Sequence, residues 1–210
     1  NVKNLQLLDR KALEADLGFK FDKKNLLITF HPVTLEKSSA VMQMQELLAA
    51  LARLEDTKLI FTMPNADTDG RALIEVVERF ASQHVNAHAF KSLGQVRYLS
   101  CIAQVDGVLD NSSSGLLEVP SFKKGTLNIG ERQSGRLQAT SVINCKPNQK
   151  SIADGIKMLY SHEFQGKLSQ VRNPYGEGGA SEKIVNSLKI INIKNIVKKS
   201  FYDLSDHHFR

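Results

Sequence analysis

Short apolar runs alternate with helical patterns along most of this 210-residue chain, and this alternation limits the fold more than any other feature. Residues 25–30 form an apolar run that ends at His31, because the following Pro32 disfavours helix there. Apolar side chains then recur at helical spacing from Val41 to Leu54. Strands that alternate with helices indicate βαβ units. The sequence therefore predicts an α/β fold, a three-layer sandwich whose parallel sheet is covered by helices on both faces.

The same alternation predicts the individual elements. Strands are expected at residues 25–30, 58–63, 85–90, 107–109, 126–129 and 141–144. Helices are expected at residues 9–17, after a cap at Ser38 or Ser39, around Leu73, Ile74, Val77 and Phe80, at residues 94–104, from Ser112, at residues 151–159, and around Ile184, Val185 and Leu188.

Charge and composition limit the kinds of molecule that this chain is expected to bind. The net charge of +6 favours anionic partners, but much of the excess lies beyond residue 183, in what we interpret as a solvated tail. Aromatic residues make up only 7% of the chain and lie mostly inside apolar runs, so no nucleic-acid partner is expected. No apolar run approaches the roughly 20 residues that a membrane helix needs, so no membrane partner is expected either.

Cysteine and histidine spacing bears on redox and metal chemistry. Cys101 and Cys145 lie far apart and form no CxxC motif, which indicates free thiols in a reduced compartment and hence a cytoplasmic location. The six histidines show no metal-ligand spacing, and no metal site is expected.

Polar and glycine residues follow the predicted strands, whereas the strands themselves are apolar. Ligands of open α/β sheets bind outside the carboxyl ends of the strands, so these residues are the candidate site. In chain order they are His31, then Asn65 and Asp67, then Ser92 and Leu93, then residues 111–114, then residues 130–133.

The stretch DNSSSGLLE, residues 110–118, is the most informative of these strand ends. Residues 112–115, which are Ser112, Ser113, Ser114 and Gly115, would form a helix N-terminus that supplies unpaired N–H groups, hydroxyls and room for a ligand, which suits a phosphate. Glu118, about one helical turn past Ser114, could accept hydrogen bonds from ribose hydroxyls. The alternative interpretation is an ordinary serine cap followed by a favourable acidic residue in the first turn.

Two further strand ends carry cationic or ionisable side chains. Arg132 and Arg136 lie in a glycine-bounded loop at residues 130–136 and could neutralise a diphosphate, unless the loop only faces solvent. His31 could donate to a phosphate oxygen or assist a leaving group, although a lone histidine is more often structural.

Five motifs together resemble the UDP-N-acetylglucosamine 2-epimerases, specifically the hydrolysing branch that forms N-acetylmannosamine for sialic-acid-type sugars. They are FHPVT (30–34), PNADTDGR (64–71), DNSSSGLLEVPSF (110–122), NIGERQSGR (128–136) and NPYGEGGASEKI (173–184). The resemblance implies one Rossmann-like half of a two-domain, GT-B-like enzyme with its active site between the halves. The chain looks like the C-terminal half, in keeping with its start at Asn1 rather than Met. The boundaries expected are an inter-domain entry segment at 1–20, a UDP-binding domain at 21–192 and a basic tail at 193–210.

The resemblance also implies roles for individual residues. Ser112 and Ser113 would contact the diphosphate, Glu118 the ribose, Arg132 the nucleotide and the backbone near Leu93 the uracil, while His31 would assist near the diphosphate. Candidates for the rest of the substrate cleft are Asn65, Asp67, Arg136 and Tyr175.

The implied reaction is elimination of UDP across C1–C2 of UDP-N-acetylglucosamine, followed by addition of water with inversion at C2. It requires no metal and no redox cofactor. The family's catalytic carboxylates belong to the half that this chain lacks, so the chain alone is expected to be inactive, and the full-length protein is expected to be a homo-oligomer. The alternatives are a non-hydrolysing 2-epimerase that gives UDP-N-acetylmannosamine, the nucleotide-sugar domain of a GT-B glycosyltransferase, and a non-catalytic binding module.

Overall fold

A computed structural model of the chain describes residues 5–32, 37–64, 68–176 and 178–192. The chain divides into two units, residues 1–177 and residues 178–210. The first unit contains β1 (Lys24–Thr29), β2 (Thr57–Thr62), β3 (Ala87–Phe90), β4 (Gly107–Asp110), β5 (Gly125–Ile129), β6 (Val142–Cys145) and the helices α1 (Arg10–Leu17), α2 (Lys37–Leu51), α3 (Thr68–Gln83), α4 (Gly94–Gln104), α5 (Ser114–Leu117), α6 (Gln149–Leu159) and α7 (His162–Lys167), with 3₁₀ turns at Val119–Phe122 and Leu168–Gln170. The second unit contributes α8 (Ala180–Ile190), which includes Ile184, Val185 and Leu188 as the sequence predicts.

The six strands form one entirely parallel sheet in the order β3-β2-β1-β4-β5-β6. In the centre of the sheet, Leu27 of β1 lies opposite Ile60 of β2 on one side and Val108 of β4 on the other. The predicted Rossmann-like α/β architecture is thereby confirmed.

The direction in which the chain builds the sheet reverses between β1 and β4. From β1 the chain moves outward through β2 to β3, then returns to place β4 on the other side of β1 and continues to β6. Such a switch point opens a crevice at the carboxyl ends of the two central strands. His31 and Asn111, which follow β1 and β4, lie at this crevice.

Both faces of the sheet are buried, because successive side chains of a strand point to opposite sides. On one face, Leu26 and Ile28 belong to the apolar cluster that includes α2, α3 and α6. On the other face, Leu27, Ile60 and Val108 pack in a second cluster with α1 and α4. Burial on both faces explains why the strands read as continuous apolar runs in the sequence.

Helix α1 is part of this core. The Asp9 side chain accepts a hydrogen bond from the Ala12 N–H at 2.8 Å and so caps the N-terminus, and Gly18 ends the helix with a φ of 76°. Leu13 and Leu17 are buried in the cluster around α4. The boundaries predicted at residues 20 and 192 stay predictions, and the predicted basic tail, 193–210, lies outside the described residues.

Several element starts differ from the sequence-based expectation, among them those of β3 and α2. β3 begins at Ala87 rather than Val85, because the Ala87 N–H donates to the His84 carbonyl at 2.9 Å and closes a turn that leaves Val85 95% exposed. α2 begins at Lys37, so Ser38 and Ser39 lie inside the helix rather than at its cap. Across the described ranges, no helix combines the length and apolarity that crossing a bilayer requires.

Close packing of α6 on the sheet generates a test of the fold. A Cβ added at Gly155 would lie 2.4 Å from Cδ1 of Leu127, which is fully buried in β5. We expect Gly155→Ala to lower the free energy of unfolding by about 1–3 kcal/mol, because the core must shift to accept the methyl group. Urea denaturation followed by circular dichroism measures the change.

Gly166 in α7 provides the matched control, since a Cβ there would meet nothing within 4 Å. Gly166→Ala should leave stability unchanged or raise it by up to about 1 kcal/mol, the difference in helix propensity. Equal effects of the two substitutions would contradict the packing described for α6.

Candidate functional site

A buried carboxylate shapes the loop that follows β4. Asp110, which is 1% exposed, accepts hydrogen bonds from the Ser112 N–H at 2.5 Å, the Ser112 hydroxyl at 2.8 Å and the Gly115 N–H at 2.8 Å. The loop is therefore wrapped around Asp110. Sequence reasoning did not single out this residue, although an acid at the end of an otherwise apolar strand was the available signal.

Burial raises the pKa of the Asp110 carboxyl to about 6, against the opposing effects of the Ser112 and Gly115 hydrogen bonds and of the positive charge of Arg132. Desolvation of the charged form is the largest of these effects. The site thus contains a carboxylate whose ionisation is costly, directly beneath the loop predicted to receive phosphate.

Gly115 has a packing role inside the protein. A Cβ at this buried position would lie 2.7 Å from Cγ2 of Thr126 and 3.1 Å from Oδ2 of Asp110. The Thr126 hydroxyl also donates to the Gly115 carbonyl at 2.8 Å. The glycine therefore lets the loop lie tightly against β5, a reason for glycine that the sequence does not reveal, and the predicted room for a ligand stays a prediction.

The helix predicted to open in this loop is a single turn. α5 spans only Ser114–Leu117, and a 3₁₀ turn with Pro120 follows it. Its dipole is accordingly small, and an anion bound here would rely on individual donors. The Ser112 hydroxyl donates its one hydrogen to Asp110. The Ser113 side chain is half-buried and makes no hydrogen bond to any part of the chain that is described.

Asn111 joins the ends of three strands. Its side-chain amide accepts from the His31 N–H and donates to the His31 carbonyl, each at 2.8 Å. Its own carbonyl accepts from Nη1 of Arg132 at 3.1 Å and from Nε2 of Gln133 at 2.8 Å. The loops after β1, β4 and β5 are thus held together, and His31 and Arg132 are brought to the same edge of the sheet. The sequence motif contains Asn111 but gives no sign of this connecting role.

A cleft of about 830 Å³ lies beside these loops, at the carboxyl ends of β2 and β3. Its lining includes Met63, Ser92 and Leu93 from the segments after those strands, together with Tyr98 and Glu118. The volume falls within the range of small-molecule sites. Leu93 and Glu118, which the sequence predicts as uracil and ribose contacts, therefore share one cavity wall.

Glu118 is held by hydrogen bonds inside this cleft. The Ser114 hydroxyl donates to Oε2 of Glu118 at 2.6 Å, and the Tyr98 hydroxyl donates to Oγ of Ser114 at 2.8 Å. Ser114 belongs to residues 111–114, which the sequence predicts as part of the site, but its bond to Glu118 was not predicted. Tyr98 was not among the predicted site residues, because nothing in a one-dimensional pattern places α4 against α5.

The remaining predicted residues lie in different places. Arg136 is exposed in the loop after β5, and the Tyr175 hydroxyl donates to the Leu137 carbonyl of the same loop at 3.0 Å. Asn65 and Asp67 lie outside the described residues. Where the structure describes the chain, no three His, Cys, Asp or Glu residues are grouped as metal ligands.

A family model described as UDP-N-acetylglucosamine 2-epimerase matches residues 2–189 of the chain. A Campylobacter jejuni protein named GDP/UDP-N,N'-diacetylbacillosamine 2-epimerase (hydrolyzing) is 37% identical over 205 residues, which cover 97% of this chain and 53% of that protein. The Escherichia coli polysialic acid biosynthesis protein P7 is 34% identical over 211 residues, with 98% and 53% covered. The chain spans about half the length of these curated relatives.

Among solved structures, the S. aureus protein MnaA in its co-structure with UDP superimposes with a TM-score of 0.69. The match covers 96% of this chain and 52% of that chain at 22% sequence identity. At this identity the similarity concerns the fold, and it agrees with the α/β architecture described above.

The raised pKa of Asp110 predicts a specific dependence of stability on pH. The folded state binds a proton on Asp110 more tightly than the unfolded state, so ionisation destabilises the fold as pH rises from about 4 to about 6, with little further change above. Relative to Asp110→Asn, the wild-type chain should lose up to about 3 kcal/mol of stability between pH 4 and pH 7. Urea unfolding at a series of pH values measures this difference.

Asp154→Asn is the control, because Asp154 forms an exposed ion pair with Lys150 on α6. Its stability difference from wild type should remain within about 0.5 kcal/mol across the same range. A wild-type stability that rises relative to Asp110→Asn between pH 4 and 6 would show that the three donors outweigh burial.

Proposed function

Because the chain belongs to the UDP-N-acetylglucosamine 2-epimerase family, we propose that it is the UDP-binding half of a hydrolysing 2-epimerase of UDP-linked acetamido sugars. The observation that carries the proposal is the cleft that both Leu93 and Glu118 line, beside the loops after β4 and β5 that carry Ser113 and Arg132. In this proposal the chain is the C-terminal half, and a second Rossmann-like half completes the active site.

The nucleotide would extend along the carboxyl edge of the sheet. Uracil would contact the backbone near Leu93, the ribose hydroxyls would donate to Glu118, and the diphosphate would lie toward the switch point between β1 and β4. The Ser113 hydroxyl makes no hydrogen bond to the residues that the structure describes, and Arg132 and His31 both bond Asn111 at the same edge. Two positive or donor-rich groups next to this hydroxyl suit a diphosphate.

Ser112 plays a different part in this scheme from the one that resemblance alone suggests. Both its N–H and its hydroxyl donate to Asp110, so its first task is to shape the loop. Ser112 can contact phosphate only by releasing Asp110. We therefore assign the primary hydroxyl contact with the diphosphate to Ser113.

The proposed reaction begins with removal of the C2 proton and departure of UDP from C1, which leaves a glycal-like intermediate. Water then adds across the double bond, and the new C2 proton arrives on the opposite face. The base that removes the C2 proton would come from the other half of the protein. Ser113, Arg132 and His31 would act on the leaving group, where they stabilise the negative charge that develops on the diphosphate.

The sugar is the less determined part of the substrate. The family description indicates UDP-N-acetylglucosamine and hence N-acetylmannosamine as product, whereas the name of the C. jejuni relative indicates a diacetamido sugar. UDP-N,N'-diacetylbacillosamine is therefore the second candidate. The word hydrolyzing in that relative's name favours release of the free sugar over formation of an epimerised UDP-sugar.

UDP binding tests the proposed function directly. Isothermal titration should detect UDP binding to the wild-type chain, and UDP should raise its melting temperature. Glu118→Gln should weaken binding about 10- to 100-fold, because losing a hydrogen bond to a charged group costs about 1.5–3 kcal/mol. The melting temperature without UDP should stay close to that of the wild type.

Glu163→Gln is the matched control, since Glu163 is exposed on α7, whose Phe164 packs against Gly125 at the amino end of β5. This substitution should change UDP affinity by less than about threefold, the effect of a distant screened charge. Absence of UDP binding to the wild type would remove the basis of the proposal, and equal losses in the two variants would remove the specific role of Glu118.

Catalysis should require the other half of the protein. The 210-residue chain incubated with UDP-N-acetylglucosamine or UDP-N,N'-diacetylbacillosamine should release no UDP, because its groups act on the leaving group and not on the C2 proton. Chromatography against a free-UDP standard provides the measurement. Turnover by the chain alone would contradict the assignment of the base to the other half.

A further inference from the structure

A line of hydroxyl groups leads from α4 to Glu118. The Tyr98 hydroxyl, on α4, donates to Oγ of Ser114 at 2.8 Å, and the Ser114 hydroxyl donates to Oε2 of Glu118 at 2.6 Å. One end of the line is therefore attached to α4, and the other end is a carboxylate in the wall of the cleft.

The chemistry of the groups fixes the direction of these hydrogen bonds. An ionised carboxylate can only accept, so the single hydroxyl hydrogen of Ser114 must point at Glu118. The Tyr98 hydroxyl must then donate to Ser114. Burial raises the pKa of the Tyr98 phenol well above its usual range, which keeps this donor protonated. Rotation of Ser114 is thus controlled from one side by Tyr98 and from the other by Glu118.

Backbone contacts add to this restraint on Glu118. The Glu118 N–H donates to the Ser114 carbonyl at 2.9 Å, so main chain and side chain of the two residues are both connected within a single helical turn. Tyr98 packs against the apolar cluster between α1 and α4, which fixes its ring. Ser114 occupies Oε2 of Glu118 and leaves Oε1 for a ligand in the cleft.

We propose that Tyr98 and Ser114 are positioning residues that hold the Glu118 carboxylate in one orientation and so make the site selective for ribonucleotides over 2′-deoxyribonucleotides. The proposal rests on the assignment of Glu118 to the ribose in the proposed function. A carboxylate fixed in one rotamer meets the two adjacent hydroxyls of a ribose together. When the ligand lacks the 2′ hydroxyl, one carboxylate oxygen has no hydrogen-bond donor, and the carboxylate cannot rotate to find another one. A carboxylate free to rotate would adapt to either sugar.

The test compares the affinities of UDP and 2′-deoxy-UDP by isothermal titration on the full 210-residue chain. The wild type should bind UDP at least about tenfold more tightly than 2′-deoxy-UDP, since a site built around a hydroxyl rejects ligands that lack it. In Tyr98→Phe and Ser114→Ala this ratio should fall at least about threefold, because each change frees the carboxylate. Ser114→Thr, which keeps the hydroxyl, should retain the wild-type ratio.

Tyr160→Phe serves as the matched control. The Tyr160 hydroxyl contacts Oδ2 of Asp106 at 3.5 Å, next to the amino end of β4 and away from the cleft. This variant should retain the wild-type ratio, and circular dichroism melts check that all variants fold. If Ser114→Ala fails to fold, Tyr98→Phe still decides, because it removes one oxygen and leaves the ring in place.

The outcomes separate this inference from the proposed function. UDP binding with an unchanged ratio in Tyr98→Phe and Ser114→Ala overturns the positioning role and leaves the proposed function intact. A wild type that binds both nucleotides equally overturns the selectivity. A wild type that binds neither nucleotide overturns the proposed function and this inference together.

Discussion

The loop after β4 is organised around a carboxylate that is almost completely removed from solvent. Asp110 accepts hydrogen bonds from the N–H groups of Ser112 and Gly115 and from the Ser112 hydroxyl, and these bonds direct Ser112 inward. The Ser113 hydroxyl makes no hydrogen bond within the described part of the chain, and the Ser114 hydroxyl donates to Glu118. Three neighbouring serines therefore have three different environments, and Asp110 sets that of Ser112. Burial of Asp110 destabilises its ionised form, and the raised pKa of its carboxyl reflects this cost.

The hydrogen bonds of Asn111, rather than a helix N-terminus, hold together the loops at the switch point. Asn111 bonds the backbone of His31 and the side chain of Arg132, so groups from the ends of β1 and β5 are held against the end of β4. α5 is too short to supply a strong dipole. Binding of an anion at this edge therefore depends on fixed side chains, and the apolar sheet behind them supplies the rigidity that such a site needs.

The local pattern of apolar residues predicted the strands well, because burial on both faces of the sheet makes each strand a continuous apolar run. It also predicted α4 at its observed bounds, Gly94–Gln104. Strand order was beyond local pattern, since the pairing of β4 beside β1 joins segments far apart in the chain. Contacts between elements could not be predicted from the sequence for the same reason. Tyr98 on α4 meets Ser114 on α5 only after the chain has folded, and Gly115 is required by Thr126, which belongs to a later strand.

A crystal structure of the chain soaked with UDP would show whether the cleft beside the loop after β4 holds the nucleotide. We expect the ribose hydroxyls within hydrogen-bonding distance of Glu118, the uracil against the backbone near Leu93, and the diphosphate within reach of Ser113 and Arg132. UDP bound elsewhere on the chain, or a cleft that stays empty at saturating UDP with Glu118 bonded only to Ser114, would contradict this expectation.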